Sequence, residues 1–218
     1  MTDRWATFDC YGTLIDWMGG IRTALGRTFP TADADALLQR FHAIEPLVQA
    51  GRAIPYRQVL TESLVRLAED EETPLTDPAA LADSLPSWPP FPEVAEELRA
   101  VRAAGWRVAI LSNTDPDYLD GSLARIGVPV DLRVTAADAG AYKPARGHWD
   151  RFFATTGAAR DRHCHVAASL FHDVAPAAAF GFPCIWINRQ AEVSDLPRAA
   201  ELPDLRGLAA ALDRVVPG

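Results

Sequence analysis

The sequence predicts an α/β protein in which a doubly wound parallel sheet carries a block of helices inserted after its first strand. A short apolar run from Arg4 ends in the Asp9 carboxylate and is followed at once by a Gly12 turn. No further strand pattern appears until about Arg107. From Pro92 onward, helical and strand patterns alternate, as they do in parallel sheets covered on both faces. At 218 residues, the chain can bury a core and still carry an insertion.

The elements follow in order. Arg4 to Asp9 reads as a buried strand and Ile21 to Phe29 as a helix. Asp35 to Gln49 is a second helix, with Leu37, Leu38, Phe41, Ile44, Leu47 and Val48 spaced for one face and Pro46 expected to bend or end it. Tyr56 to Ala68 repeats the pattern behind Pro55, the acidic run Glu69 to Glu72 reads as solvated, and Asp77 to Leu85 is a short helix behind an Asp cap. The proline-dense stretch Pro86 to Pro92 cannot continue a helix and reads as a stiff return. Residues 15–91 are therefore assigned to a helical cap, and residues 1–14 with 92–218 to the core. In the core, helices are expected over Glu93 to Ala104, Tyr118 to Ile126, Gly147 to Thr156 and Asp173 to Phe180. Strands are expected over Trp106 to Leu111, Leu132 to Thr135, His163 to Ala167 and Cys184 to Ile187. There are no internal repeats.

Composition narrows the partners. A net charge of -8 without a Lys/Arg cluster disfavours a nucleic-acid surface. Cys10, Cys164 and Cys184 have neither paired nor metal-like spacing, which fits a reducing compartment. No apolar stretch is long enough to span a bilayer, and the first strand follows Met1 too closely for a secretory leader. The expectation is a cytoplasmic protein acting on a small molecule, with no membrane or nucleic-acid partner.

In an open parallel sheet, ligands bind beyond the carboxyl ends of the strands. Asp9, Ser112 with Asn113, Lys143, and the loop from Ser169 to Asp173 all fall there. Asp9 offers an oxygen nucleophile, Lys143 can hold its charge, Ser112 and Asn113 can hydrogen-bond an anion, and Asp173 can orient a water. Taken singly, each has an ordinary explanation as a turn former, a helix cap or a solvated charge. Their joint placement favours catalysis. His163 and His165 share a strand face and have the spacing of a metal pair, but they are expected at the strand start, away from this edge.

The motifs Phe8-Asp9-Cys10-Tyr11-Gly12-Thr13-Leu14, Ile110-Leu111-Ser112-Asn113, Tyr142-Lys143-Pro144 and Val166 to Asp173 occur in this order, followed by Gly181 to Arg189. On these motifs the chain resembles the haloacid dehalogenase superfamily, and within it the L-2-haloacid dehalogenases. The resemblance implies a Rossmann-like core with a helical cap and hydrolysis of a small 2-haloacid without cofactor or metal, with homodimers frequent among relatives. It casts Asp9 as nucleophile, Thr13 and Lys143 as its holders and Asp173 as the base. Tyr11, through nearby backbone amides, and Ser112 are expected on the substrate carboxylate. Asn113 and a cap arginine, Arg40 before Arg52, are expected on the halide, and Ser169, His172 and Trp149 on the pocket wall.

Two positions separate this reaction from the phosphatases of the superfamily. Tyr11 stands where those enzymes usually have a second Asp that protonates an alkoxide, a proton a halide does not need. Ala168 stands where they usually have a magnesium-binding Asp. Ala168, Leu170, Trp149 and His172 also depart from the usual dehalogenase residues, which puts substrate identity in question more than reaction type. The alternatives are a small-molecule phosphatase with a rearranged metal site, a hydrolase of another activated carbon electrophile such as a strained-ring amino acid, and a non-catalytic binding protein.

Overall fold

The computed structural model describes residues 3–52 and 54–218. Strands β1 (Arg4–Phe8), β2 (Trp106–Ser112), β3 (Leu132–Thr135), β4 (His163–Ala167), β5 (Cys184–Ile187) and β6 (Ala200–Leu202) form one parallel sheet in the order 3-2-1-4-5-6. β1 lies between β2 and β4, so the direction of winding reverses at the β1/β4 seam. Both faces of these strands are covered, and Ala6, Phe8, Val108, Ile110 and Val166 are fully buried. Continuous apolar runs are the sequence signature of such doubly covered strands.

Between β1 and β2 the chain forms α1 (Trp17–Thr28), α2 (Ala34–Gln49), α3 (Tyr56–Asp70) and α4 (Ala80–Ser84). α1 begins earlier than its apolar spacing suggests, because the Asp16 carboxylate caps it by accepting from the Gly19 amide at 2.9 Å. Pro46 neither ends nor interrupts α2, which runs on to Gln49. One turn from the helix end, its missing N–H removes a single backbone bond. Leu47, expected inward, is 61% exposed; Leu37, Leu38, Phe41, Ile44 and Val48 are buried as expected.

The segments entering and leaving the insertion pair with each other. Ile15 bridges Pro90, the Asp16 amide donates to the Pro89 carbonyl at 2.9 Å, and the Phe91 amide donates to the Leu14 carbonyl at 3.0 Å. Trp88 on the return segment packs against Gly20 of α1, where an added Cβ would lie 2.3 Å from the indole. Further contacts tie the insertion to the carboxyl edge of the sheet. The Tyr142 hydroxyl donates to the Ile54 carbonyl at 2.6 Å, and Asp115 accepts the first two amides of α3.

The remaining helices are α5 (Val94–Ala103), α6 (Pro116–Ile126), α7 (Ala136–Ala139), α8 (Gly147–Thr156), α9 (Ala175–Phe180) and α10 (Leu208–Val215). Where a single helix from Asp173 was expected, a π-helical turn, Leu170–Val174, precedes α9. β6 and α10 lie beyond the last strand expected from the sequence, Cys184 to Ile187. β6 is a three-residue edge strand, too short for a period to register.

Candidate active site

Asp9 follows β1 directly, and its amide donates to the Val166 carbonyl of β4 at 3.1 Å. The switch point of the sheet therefore lies beneath this carboxylate. Thr13, on the turn leaving β1, donates its hydroxyl to Asp9 Oδ2 at 2.9 Å and accepts the Ala168 amide at 2.9 Å. That hydroxyl locks the Asp9 loop to the loop after β4.

Lys143 is buried, and each of its three ammonium protons has an acceptor. Nζ lies 2.8 Å from Asp9 Oδ1, 2.7 Å from Asp173 Oδ1 and 2.9 Å from the Leu111 carbonyl. Burial alone would disfavour the ammonium, but the charges of Asp173 and Asp9 outweigh it and raise the Lys143 pKa. Burial likewise opposes the charge on Asp173; Lys143, then the bond from His165, hold its carboxyl well below the usual carboxylate range. The buried floor of the site thus holds two carboxylates around one ammonium.

Asn113 is committed elsewhere than expected. Its amide donates to the Lys143 carbonyl at 2.9 Å, and its carbonyl accepts the Lys143 amide at 2.6 Å. This reciprocal pair presents Lys143 to the carboxylates, so Asn113 acts first as the clamp of that loop. Ser112 is buried and lines the cavity, and its hydroxyl has no partner among the described residues. A buried hydroxyl left over in this way is suited to a ligand oxygen. Tyr11 also lines the cavity; its hydroxyl bonds Ser122 Oγ at 2.9 Å, and burial pushes its pKa up. Ser169 accepts the His172 amide at 3.0 Å, and both residues line the cavity. Burial lowers the His172 pKa.

The cavity has a volume of about 350 Å³ and lies between these residues and the helical insertion. The insertion contributes Trp17 and Met18 from α1, His42, Glu45, Pro46 and Gln49 from α2, and Tyr56 from α3. Trp17 stacks on His42 with ring centroids 4.9 Å apart. Its indole N–H donates to the Tyr56 hydroxyl at 3.1 Å, and that hydroxyl donates to Glu45 Oε1 at 3.1 Å. Burial raises the Glu45 pKa, an effect partly offset by Tyr56.

Four residues sit elsewhere than the sequence suggests. Arg40 projects from another side of α2, more than half exposed, and pairs with Glu71. Arg52, the second choice, pairs with Glu62 and is also outside the cavity lining. The arginine that lines the cavity is Arg189, which follows β5. It donates to the Thr13 carbonyl at 2.8 Å and to Glu93 at 2.7 Å, and lies 3.7 Å over the Phe91 ring. Trp149 is buried in the core beneath the sheet, edge-on to His165 at 5.4 Å, and is not a wall of the cavity. His165, expected away from the catalytic edge, bonds Asp173 directly at 2.9 Å.

Among the described residues, no group of three or more His, Cys, Asp or Glu side chains is arranged to hold a metal ion. His163 and His165 bind the Thr7 hydroxyl instead. No described helix is long and apolar enough to cross a membrane.

Residues 4–181 match the family model for haloacid dehalogenase-like hydrolases. The chain belongs to this family. Haloacetate dehalogenase H-2 of Moraxella sp. (strain B) is 28% identical over 190 residues, 84% of each chain. (S)-2-haloacid dehalogenase 4A of Burkholderia cepacia is 28% identical over 196 residues, 86% of this chain and 84% of that protein. The fold is shared with the L-2-haloacid dehalogenase RSc1362 at a TM-score of 0.84, with 24% identity, 98% of this chain and all of that one covered. The L-2-haloacid dehalogenase of Xanthobacter autotrophicus, solved with chloropropionic acid covalently bound, superposes at a TM-score of 0.83 with 21% identity, covering 95% of this chain and 97% of that one. As a haloacid dehalogenase-like hydrolase, the protein is an enzyme whose Asp9, Thr13, Lys143 and Asp173 meet at the mouth of the sheet.

Proposed function

We propose that the enzyme hydrolyses the carbon–halogen bond of a small (S)-2-haloacid, giving the (R)-2-hydroxyacid and halide. The observation that carries this reading is the Asp9 carboxylate, held by Thr13 and Lys143 at the floor of a small cavity. Tyr11 and Ala168 occupy the positions that would hold a proton donor and a metal-binding carboxylate in a phosphatase. A carboxylate fixed on both oxygens is positioned for in-line attack without an ordering cost at the moment of reaction.

In this reading, an Asp9 oxygen forms a bond to the carbon bearing the halogen. The carbon–halogen pair leaves as halide, the centre inverts, and an ester remains. Water then attacks the Asp9 carbonyl carbon, giving one proton to Asp173; as the acyl–oxygen bond breaks, the departing alkoxide takes that proton and leaves as the hydroxyacid, and Asp9 gives up the remaining water proton to solvent, which restores the carboxylate. A carboxylate held as low as Asp173 is a weak base, so Lys143, which stabilises the oxyanion forming on Asp9, carries the larger share of this step. The Ser112 hydroxyl receives the substrate carboxylate. The helical insertion acts as the cap, excluding bulk water. The composition supports placing the enzyme in the cytoplasm.

The test is incubation with a panel of 2-haloacids and phosphomonoesters, with and without chelator, reading free halide and free phosphate. Chelator-insensitive halide release, abolished in Asp9→Asn, is expected. Magnesium-dependent phosphate release without halide release would overturn the reading.

A further inference from the structure

Beneath Asp173 lies a buried polar chain that the reaction scheme leaves unused. His163 Nε2 is 2.8 Å from Thr7 Oγ1, Thr7 Oγ1 is 2.8 Å from His165 Nδ1, and His165 Nε2 is 2.9 Å from Asp173 Oδ1. Thr7, His163, His165 and Asp173 are all fully buried. Polar groups are costly at the centre of a sheet, so four in contact require a joint explanation.

The proton inventory fixes the direction of the chain. Thr7 has one hydroxyl proton and faces two imidazole nitrogens, so it donates to one and accepts from the other. His163 Nδ1 has no partner among the described residues. A buried orphan N–H is worse tolerated than an orphan acceptor, so that nitrogen carries the lone pair and His163 Nε2 carries the proton. His163 therefore donates to Thr7, Thr7 donates to His165 Nδ1, and His165 is left with its N–H on Nε2, aimed at Asp173. Asp173 Oδ1 then accepts from both His165 and Lys143, while Oδ2 has no partner among the described residues.

We propose that the chain His163, Thr7, His165 is a positioning device for Asp173, occupying Oδ1 so that Oδ2, buried and without a partner among the described residues, is the oxygen left to accept from the hydrolytic water. This rests on the ester mechanism above for its kinetic consequence, but not for its proton order. Thr7 and His165 act through Asp173, so their effect falls on ester hydrolysis and spares ester formation.

Two measurements test it. Nitrogen-15 NMR of the histidine rings in the resting enzyme at pH 7 is expected to show His163 and His165 as neutral Nε2–H tautomers. A His165 protonated on Nδ1, alone or on both nitrogens, overturns the assignment whatever the substrate. The second is rapid-mix kinetics with 2-chloropropionate on His165→Phe, His165→Gln and Thr7→Val, following halide release and the mass of the Asp9 peptide. In His165→Phe the first turnover of halide survives, while steady-state turnover falls about tenfold or more and the Asp9 adduct accumulates. His165→Gln, whose amide nitrogen reaches towards the Nε2 position, recovers much of the rate, and Thr7→Val shows a smaller loss of the same kind. A folded His165→Phe or Thr7→Val that clears the adduct at the parent rate overturns the kinetic role. If the parent enzyme gives neither halide nor adduct, the haloacid reading fails, and the NMR result still decides the proton order.

Discussion

The carboxylate of Asp115, in the core, accepts the backbone N–H of Tyr56, in the helical insertion, at 2.9 Å, and that of Arg57 at 2.8 Å. α3 begins behind Pro55, which has no side chain able to cap it, so the cap comes from another part of the chain. The same contact aligns Tyr56, which supports Glu45 over the cavity. Asp115→Ala is expected to cost about 1–2 kcal/mol in urea unfolding and to raise KM more than it lowers kcat. An unchanged unfolding midpoint would show that the insertion docks without it.

Lys143 spends all three protons on Asp9, Asp173 and Leu111. Lys143→Met leaves two buried carboxylates facing each other and is expected to cost about 3–5 kcal/mol and abolish turnover. Lys143→Arg is not expected to rescue it, because a planar fork cannot meet three acceptors arranged around one nitrogen. Recovery of activity in the arginine variant would refute that geometry.

Glu45 faces the cavity where a cap arginine was expected. Its Oε1 accepts from Tyr56, and burial favours its neutral form. Glu45→Gln keeps the shape and the Tyr56 bond, so kcat/KM is expected to stay within a few fold. Glu45→Leu strands the Tyr56 hydroxyl and is expected to lose about tenfold. Equal losses in both variants, measured on one haloacid, would mean that the negative charge itself is required.

Stability is expected to fall in mild acid. Burial depresses His148 to about 4 and, with His165, His163 to about 3. The unfolded chain takes up these protons near pH 6.5, whereas the folded protein resists until pH 4 or below. The contribution is therefore complete above pH 6.5 and is lost as pH drops. Near pH 5, two protons on unfolding correspond to about 2.7 kcal/mol per pH unit. Asp173, whose pKa is also depressed, adds to the loss below the ordinary carboxylate range. Thermal unfolding from pH 7 to 4 checks this, and a flat melting temperature between pH 6 and 5 would contradict it.

The residues at the ends of strands were legible because each terminates an apolar run, and a parallel sheet sends all such ends to one edge. Asp9 and Ser112 were found in that way, and Asp173 as the end of the loop that leaves the same edge after β4. Arg40 was not placed correctly, although α2 itself was. An amphipathic period identifies which side of α2 is buried, yet His42, Glu45, Pro46 and Gln49 share the cavity face while Arg40 points elsewhere. Which polar stripe meets a ligand depends on how the helix docks, and Asp115 and Tyr142 govern that docking from distant parts of the chain. Arg189 was visible only as part of an apolar motif, since its partners Thr13 and Glu93 lie 176 and 96 residues away.

The order of apolar runs, turns and acidic or basic strand ends was enough to determine a parallel sheet with a helical insertion and a carboxylate, hydroxyl and ammonium at its rim. These are properties of local periodicity and chain direction. Tertiary structure alone decided that Asn113 clamps Lys143, that a carboxyl rather than an arginine lines the cavity from α2, and that His165 stands behind Asp173. Each of these depends on the distance and direction between atoms far apart in sequence, where a single proton or lone pair has only one partner within reach.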